Sequence, residues 1–165
     1  MGGDSMVWVS PSGQSWIVAG GGSSPAVLFR SLDAGRTYQR LTPQFARVGG
    51  ADIDLVWLDD TTVVAADLSV RGDGILVHRS VDRGSAWTTT SINTDLYDRP
   101  WIAHHGQTVY VAARSSVDQL LYLTVSTDGG RTFGTSIPIV GSDPNGAGPV
   151  DFATGILPHL VASEG

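Results

Sequence analysis

Hydrophobic and polar positions alternate along this chain in short runs, and the runs come in groups of three. Residues 6–10 (MVWVS), 15–19 (SWIVA) and 26–30 (AVLFR) form the first group. Residues 55–58 (LVWL), 61–66 (TTVVAA) and 74–79 (GILVHR) form the second, and 101–103 (WIA), 108–113 (TVYVAA) and 120–125 (LLYLTV) the third. Such runs are rich in Val, Ile, Thr and aromatics and are bounded by Gly, Pro, Asp and Ser, which predicts β-strands separated by turns. After the last run of each group comes a polar turn and a further β-like stretch, such as Trp87 to Ser91. Each unit therefore predicts four antiparallel strands, the content of one propeller blade.

The turn that closes each group is itself a repeat. It reads Ser31, Asp33, Gly35, Thr37, Tyr38 in the first unit and Ser80, Asp82, Gly84, Ala86, Trp87 in the second. In the third it reads Ser126, Asp128, Gly130, Thr132, Phe133. The starts lie 49 and 46 residues apart, a period that marks a propeller, solenoid or array. Asp4, Asp52 and Asp98 recur before the first run of each unit at 48 and 46 residues. The units fall at about residues 4–48, 49–95 and 96–141. Residues 142–165 read as a linker, polar and Gly/Pro-rich over 141–148, and the start of a further blade, because 158–162 (PHLVA) resembles 100–104 (PWIAH).

The frame Ser-x-Asp-x-Gly-x-Thr-aromatic resembles the Asp-box, or BNR repeat, of sialidase-like β-propellers. The resemblance covers all three units and implies an all-β propeller segment of three four-stranded blades plus the start of a fourth. In that family the boxes lie between a blade's third and fourth strands, away from the ligand pocket. The residues agree with a structural role: Asp can accept turn N–H bonds, Gly can adopt a conformation that a Cβ opposes, and the aromatic ring can pin the hairpin. Ala86 departs from the pattern where Thr is usual. Asp-box propellers include sialidases, other glycosidases, lectin-like binders and sorting receptors, so the boxes fix architecture and leave function open. Many bacterial members are secreted, which makes an extracellular location the expectation, although no secretory signal pattern opens this sequence.

Composition narrows the partners. The net charge is −6, all ten basic residues are Arg, and no basic stripe forms, which argues against nucleic acid. No apolar run is long enough to span a membrane as a helix. With no Cys, thiolate metal sites and disulfides are excluded. No cofactor or metal is implied; His104 and His105 are neighbours on a strand, point to opposite faces and make a poor metal pair. Arg71, Gly72 and Asp73 spell an integrin-binding tripeptide, read here as coincidence.

Candidate chemistry lies where propeller ligands bind, near the central axis beside each blade's first strand. Asp98, Arg99, Pro100 and Trp101 resemble a segment common in bacterial sialidase-like repeats. Arg99 could clamp a carboxylate and Trp101 could stack on a sugar; the alternative is a hydrogen-bond network with Trp101 in the core. Asp52 and Asp54 could present two carboxylates on one face, or be solvated turn acids. A sialidase site needs three Arg, an acid/base Asp and a Tyr–Glu pair. The chain has no Arg-Ile-Pro motif. Arg30, Arg79, Arg36 and Arg131 lie at the boxes, Arg99 and Arg114 remain, and Glu164 is the only Glu. A complete site is absent from the chain.

The expected function is that of a repeat protein binding a glycan or protein ligand. The alternatives are an exo-sialidase-like glycoside hydrolase of which this chain is part, and a purely structural repeat domain. Three blades leave two sheet faces uncovered. The expected partners are therefore a second copy completing the ring or further blades of a longer chain.

Overall fold

The computed structural model describes residues 6–20, 27–41, 49–69, 74–93, 95–115, 117–118 and 120–139. They form twelve strands: β1 Met6–Val9, β2 Trp16–Gly20, β3 Val27–Ser31, β4 Gln39–Leu41, β5 Gly49–Trp57, β6 Val63–Ser69, β7 Ile75–Ser80, β8 Thr88–Asn93, β9 Leu96–His105, β10 Thr108–Ser115, β11 Leu121–Ser126 and β12 Ile137–Pro138. These make three four-stranded antiparallel sheets, each a meander of four consecutive strands. The protein is an all-β propeller segment, and the sheets are its blades. Asp4, the tripeptide at 71–73, Glu164 and the reading of 142–165 as linker and fourth blade lie outside the described residues.

The period-2 pattern explains the stacking. Successive residues on a strand point to opposite faces, so each sheet has two apolar faces and needs a neighbour on each. Blade 2 fills both. Its Ile53, Leu55, Trp57, Val63 and Ala65 pack against Ile17, Ala19 and Leu28 of blade 1. Its Val64, Ala66, Ile75 and Val77 pack against Leu96, Ile102, Val109, Val111 and Ala113 of blade 3. β5 and β9 begin earlier than the hydrophobic runs at Leu55 and Trp101, because both strands continue through irregular pairing. The register shifts between Gly49 and Ile53, and on β10 around Arg114. Asp52, Asp54, Asp98 and Arg99 therefore lie within first strands rather than ahead of them.

Candidate functional site

All three Ser-Asp-Gly turns adopt one hydrogen-bonded form between the third and fourth strand of their blade. The Ser hydroxyl donates to the Asp carboxylate at 2.7, 2.7 and 2.8 Å and accepts the Gly N–H at 2.9, 2.8 and 2.9 Å. The same carboxylate accepts the N–H of Thr37, Ala86 or Thr132 at 2.9, 2.8 and 2.9 Å. Thr37 and Thr132 add a hydroxyl bond to the second Asp oxygen at 2.6 Å, which Ala86 cannot make. Gly35, Gly84 and Gly130 hold φ of 81°, 82° and 78°, a left-handed conformation that favours glycine.

The residue after each Asp also has positive φ: Ala34 57°, Arg83 60° and Gly129 73°. Its N–H donates to the turn joining the first two strands, from Ala34 to Gln14, Arg83 to Thr61 and Gly129 to Gln107, at 3.0, 2.9 and 2.8 Å. Each box thus joins both turns at one end of its blade.

These bonds hold the box carboxylates ionised. The Thr37 hydroxyl and N–H, with the Ser31 hydroxyl, bring Asp33 from an ordinary 3.8 to about 2. The Thr132 hydroxyl and N–H, with the Ser126 hydroxyl, likewise hold the Asp128 carboxyl well below the usual carboxylate range. At Asp82 burial pushes upward, but the Ala86 N–H, the Ser80 hydroxyl, the Ser85 N–H and the nearby Arg30 outweigh it, and the net shift is downward.

The box aromatic reaches beyond its own hairpin. Trp87 packs on the core between blades 1 and 2, and Phe133 on the core between blades 2 and 3. Tyr38 in blade 1 stays 48 % exposed, because the face it serves has no neighbouring sheet among the described residues.

At the inner strands, Asp54 is a brace rather than an open ligand. Its Oδ1 accepts the Trp8 indole N–H at 3.0 Å and the Leu55 N–H at 2.8 Å. Its Oδ2 accepts the Ile102 N–H at 3.0 Å. One carboxylate therefore joins all three blades, and both of its oxygens accept hydrogen bonds within the fold. Asp52 is half-buried two residues earlier on β5. Asp98 is half-buried on β9 opposite Arg114, and Trp101 is half-buried opposite Ala112. The irregular register puts both on the face of blade 3 turned away from blade 2. Arg99 lies between them on β9, and its side chain is outside the described ones. Asp52 and Asp98 sit toward the starts of adjacent inner strands, at the end remote from the boxes.

The chain is similar in fold to solved structures. The GH74 xyloglucanase from Xanthomonas campestris aligns at 19% identity and a TM-score of 0.48, over 84% of this chain and 23% of that one. This chain spans about a quarter of that protein's length. No protein-family model matches the chain, and no curated protein does.

Two features escaped the sequence reading. Arg30 donates to the Arg83 carbonyl at 3.1 Å and to the Ser85 hydroxyl, and Arg79 donates to the Gly129 carbonyl at 2.8 Å. Blades 1 and 2 thereby each grip the box of the next blade. The signal was present, since an Arg immediately precedes the box Ser in two units. The second feature is a buried polar group between blades 1 and 2. His78 Nε2 lies 3.6 Å from Asp67 Oδ2, and its Nδ1 lies 2.8 Å from the Thr89 hydroxyl. Asp67 stands out as the one acid inside an apolar strand, β6. Both side chains are fully enclosed, which suits support of the seam rather than chemistry on a ligand. Among the described residues no three His, Asp or Glu side chains converge as a metal site.

Proposed function

We propose that this chain is part of a sialidase-like Asp-box propeller that binds a glycan without cleaving it. The observation that carries the reading is the placement of Asp52 and Asp98 on adjacent inner strands, away from the turns that staple the blades. Asp98 and Arg99 supply an acceptor and a planar donor for sugar hydroxyls or a sugar carboxylate, and Trp101 follows two residues further along β9. Asp52 stands on the neighbouring inner strand of blade 2. The catalytic reading lacks support from the residues, because the chain offers no Tyr–Glu pair and no Arg-Ile-Pro arginine.

Glycan-array binding followed by assay on fluorogenic sialosides tests this. Binding that is lost in Asp98→Ala and Arg99→Ala, with no turnover, is the expected result. Turnover would favour a hydrolase. A chain that binds no glycan but captures a protein would move the site to protein recognition. Silence in all of these assays would leave a structural repeat domain.

A further inference from the structure

The third box differs from the other two at the residue after its Asp. Asp33 is followed by Ala34 and Asp82 by Arg83, whereas Asp128 is followed by Gly129. All three positions hold positive φ, at 57°, 60° and 73°. A side chain opposes that conformation and glycine accepts it, so the third box is the least strained there. The same glycine creates a chemical weakness. In a pliable chain the backbone nitrogen of the residue after an Asp can attack the side-chain Cγ. Water leaves, a cyclic succinimide forms, and a second water opens it at either carbonyl. One opening restores Asp; the other gives isoaspartate, in which the backbone runs through Cβ. A Cβ on the attacking residue crowds this approach and glycine does not, which singles out Asp128 among the box acids.

In the folded chain the third box withholds the groups this reaction needs. Gly129 is buried, and its N–H donates to the Gln107 carbonyl at 2.8 Å. Asp128 Oδ1 accepts the Ser126 hydroxyl at 2.8 Å and the Arg131 and Thr132 N–H groups at 2.9 Å each. Its Oδ2 accepts the Thr132 hydroxyl at 2.6 Å. These bonds keep the carboxyl ionised, and a carboxylate is a far poorer acyl centre than the acid. They also hold the side chain in the turn. Swinging Cγ onto the Gly129 nitrogen requires breaking them.

We propose that Asp128–Gly129 is a latent modification site, inert while the third box is closed and converted to isoaspartate when blade 3 opens. The product cannot rebuild the turn. Its carboxylate sits on Cα, one bond nearer the backbone, and the chain leading to Gly129 is one atom longer. Ser126, Arg131 and Thr132 lose their shared acceptor, and the Gly129 N–H loses its register with Gln107. Local opening is reversible before this step and leaves a lasting covalent mark after it. The chemistry needs only water, and it is independent of the glycan reading.

Incubating the full chain at neutral pH in heavy-oxygen water, folded and in unfolding urea, tests this. Each ring opening places one heavy oxygen in the peptide containing residues 128–129, and mass-spectrometric peptide mapping with isoaspartate-specific carboxyl methylation reads it. Asp73–Gly74 and Asn145–Gly146 occur in the same chain and act as internal clocks for the unfolded sample. The expected result is conversion at Asp128 in urea, slowed at least about tenfold in the folded chain, because only the open fraction reacts. Thr132→Ala removes the 2.6 Å hydroxyl bond, and Ala86 shows that a box closes with alanine there. It should speed conversion in the folded chain about tenfold and leave the rate in urea unchanged. Gly129→Ala should slow conversion in urea; the Gln107 Oε1 that its Cβ would meet at 2.5 Å is the tip of a flexible side chain. Equal rates in the folded and unfolded chain, or a folded Thr132→Ala that reacts no faster than the parent, would each overturn the proposal. Should circular dichroism show that Thr132→Ala fails to fold, Ala34→Gly carries the test. It builds an Asp–Gly pair in the first box, expected to be silent in the folded chain and reactive in urea. Reaction at Asp33 in that folded chain would overturn protection by the box.

Discussion

The Trp8 indole N–H and the Asp54 carboxylate meet at 3.0 Å across 46 residues, at the inner strands of two different blades. Because the other oxygen of Asp54 holds the Ile102 N–H, this acid carries blade 3 as well. Asp54→Ala should destabilise the fold by about 1.5–3 kcal/mol, the usual cost of losing bonds to a charged group. Trp8→Phe removes one of the three donors and should cost about 1 kcal/mol. Urea unfolding with unchanged slope checks both, and equal losses for the two variants would contradict the brace.

The second box supplies a gain-of-stability test. Ala86→Thr restores the hydroxyl that Thr37 and Thr132 give their Asp at 2.6 Å. The position is exposed, so the added methyl and hydroxyl meet no core. Stability should rise by about 0.5–1.5 kcal/mol, and Thr132→Ala should lower it by a similar amount. Thermal and urea unfolding read the pair together.

Backbone conformation at the residue after each box Asp gives a third prediction. Ala34 holds φ of 57° and its N–H serves Gln14. Ala34→Gly relieves a left-handed cost of about 1–2 kcal/mol but adds freedom to the unfolded chain, for a net gain of about 0.5–1 kcal/mol. Gly130→Ala does the opposite. Its Cβ would lie 3.1 Å from Val64 Cγ1 at φ of 78°, and a loss of about 2 kcal/mol is expected. Denaturant midpoints of the two variants should move in opposite directions.

Acid should loosen the boxes. Asp33 has a folded pKa of about 2 against an ordinary 3.8, so protons bind the unfolded chain more readily. Its contribution is complete above about pH 4 and is lost as pH falls toward about 2. Asp59, held at about 2, adds to the same window; burial pushes it upward, but its bonds to Thr61 and Thr62 outweigh that. Unfolding followed across this range should show falling stability in the parent and a shallower fall in Asp33→Asn, measured from that variant's own lower starting point.

Blade architecture was legible because it rests on local, repeated signals. Strand runs such as 61–66 and 108–113 alternate with period 2, and the box turns have a fixed order of polar residues. The seams were less legible. Asp54 looks on paper like any acid beside Asp52, and only the meeting of β1, β5 and β9 shows that its oxygens are already engaged. Tyr38, Trp87 and Phe133 share one motif position, yet their burial differs because the neighbouring sheet decides it. Asp98 and Trp101 were expected near the axis; that they share a face depends on irregular register around Arg114, which no spacing rule reveals.

The grip of Arg30 on the second box and Arg79 on the third runs one way along the chain. Each donor is synthesised about fifty residues before its acceptor. An emerging blade therefore waits for its successor to form the turn that receives its arginine, so these contacts complete in chain order: Arg30 with the second box, then Arg79 with the third. A chain interrupted between Arg79 and Gly129 would leave a folded sheet with an unanswered cation at its rim, the kind of half-finished surface on which protein quality control acts.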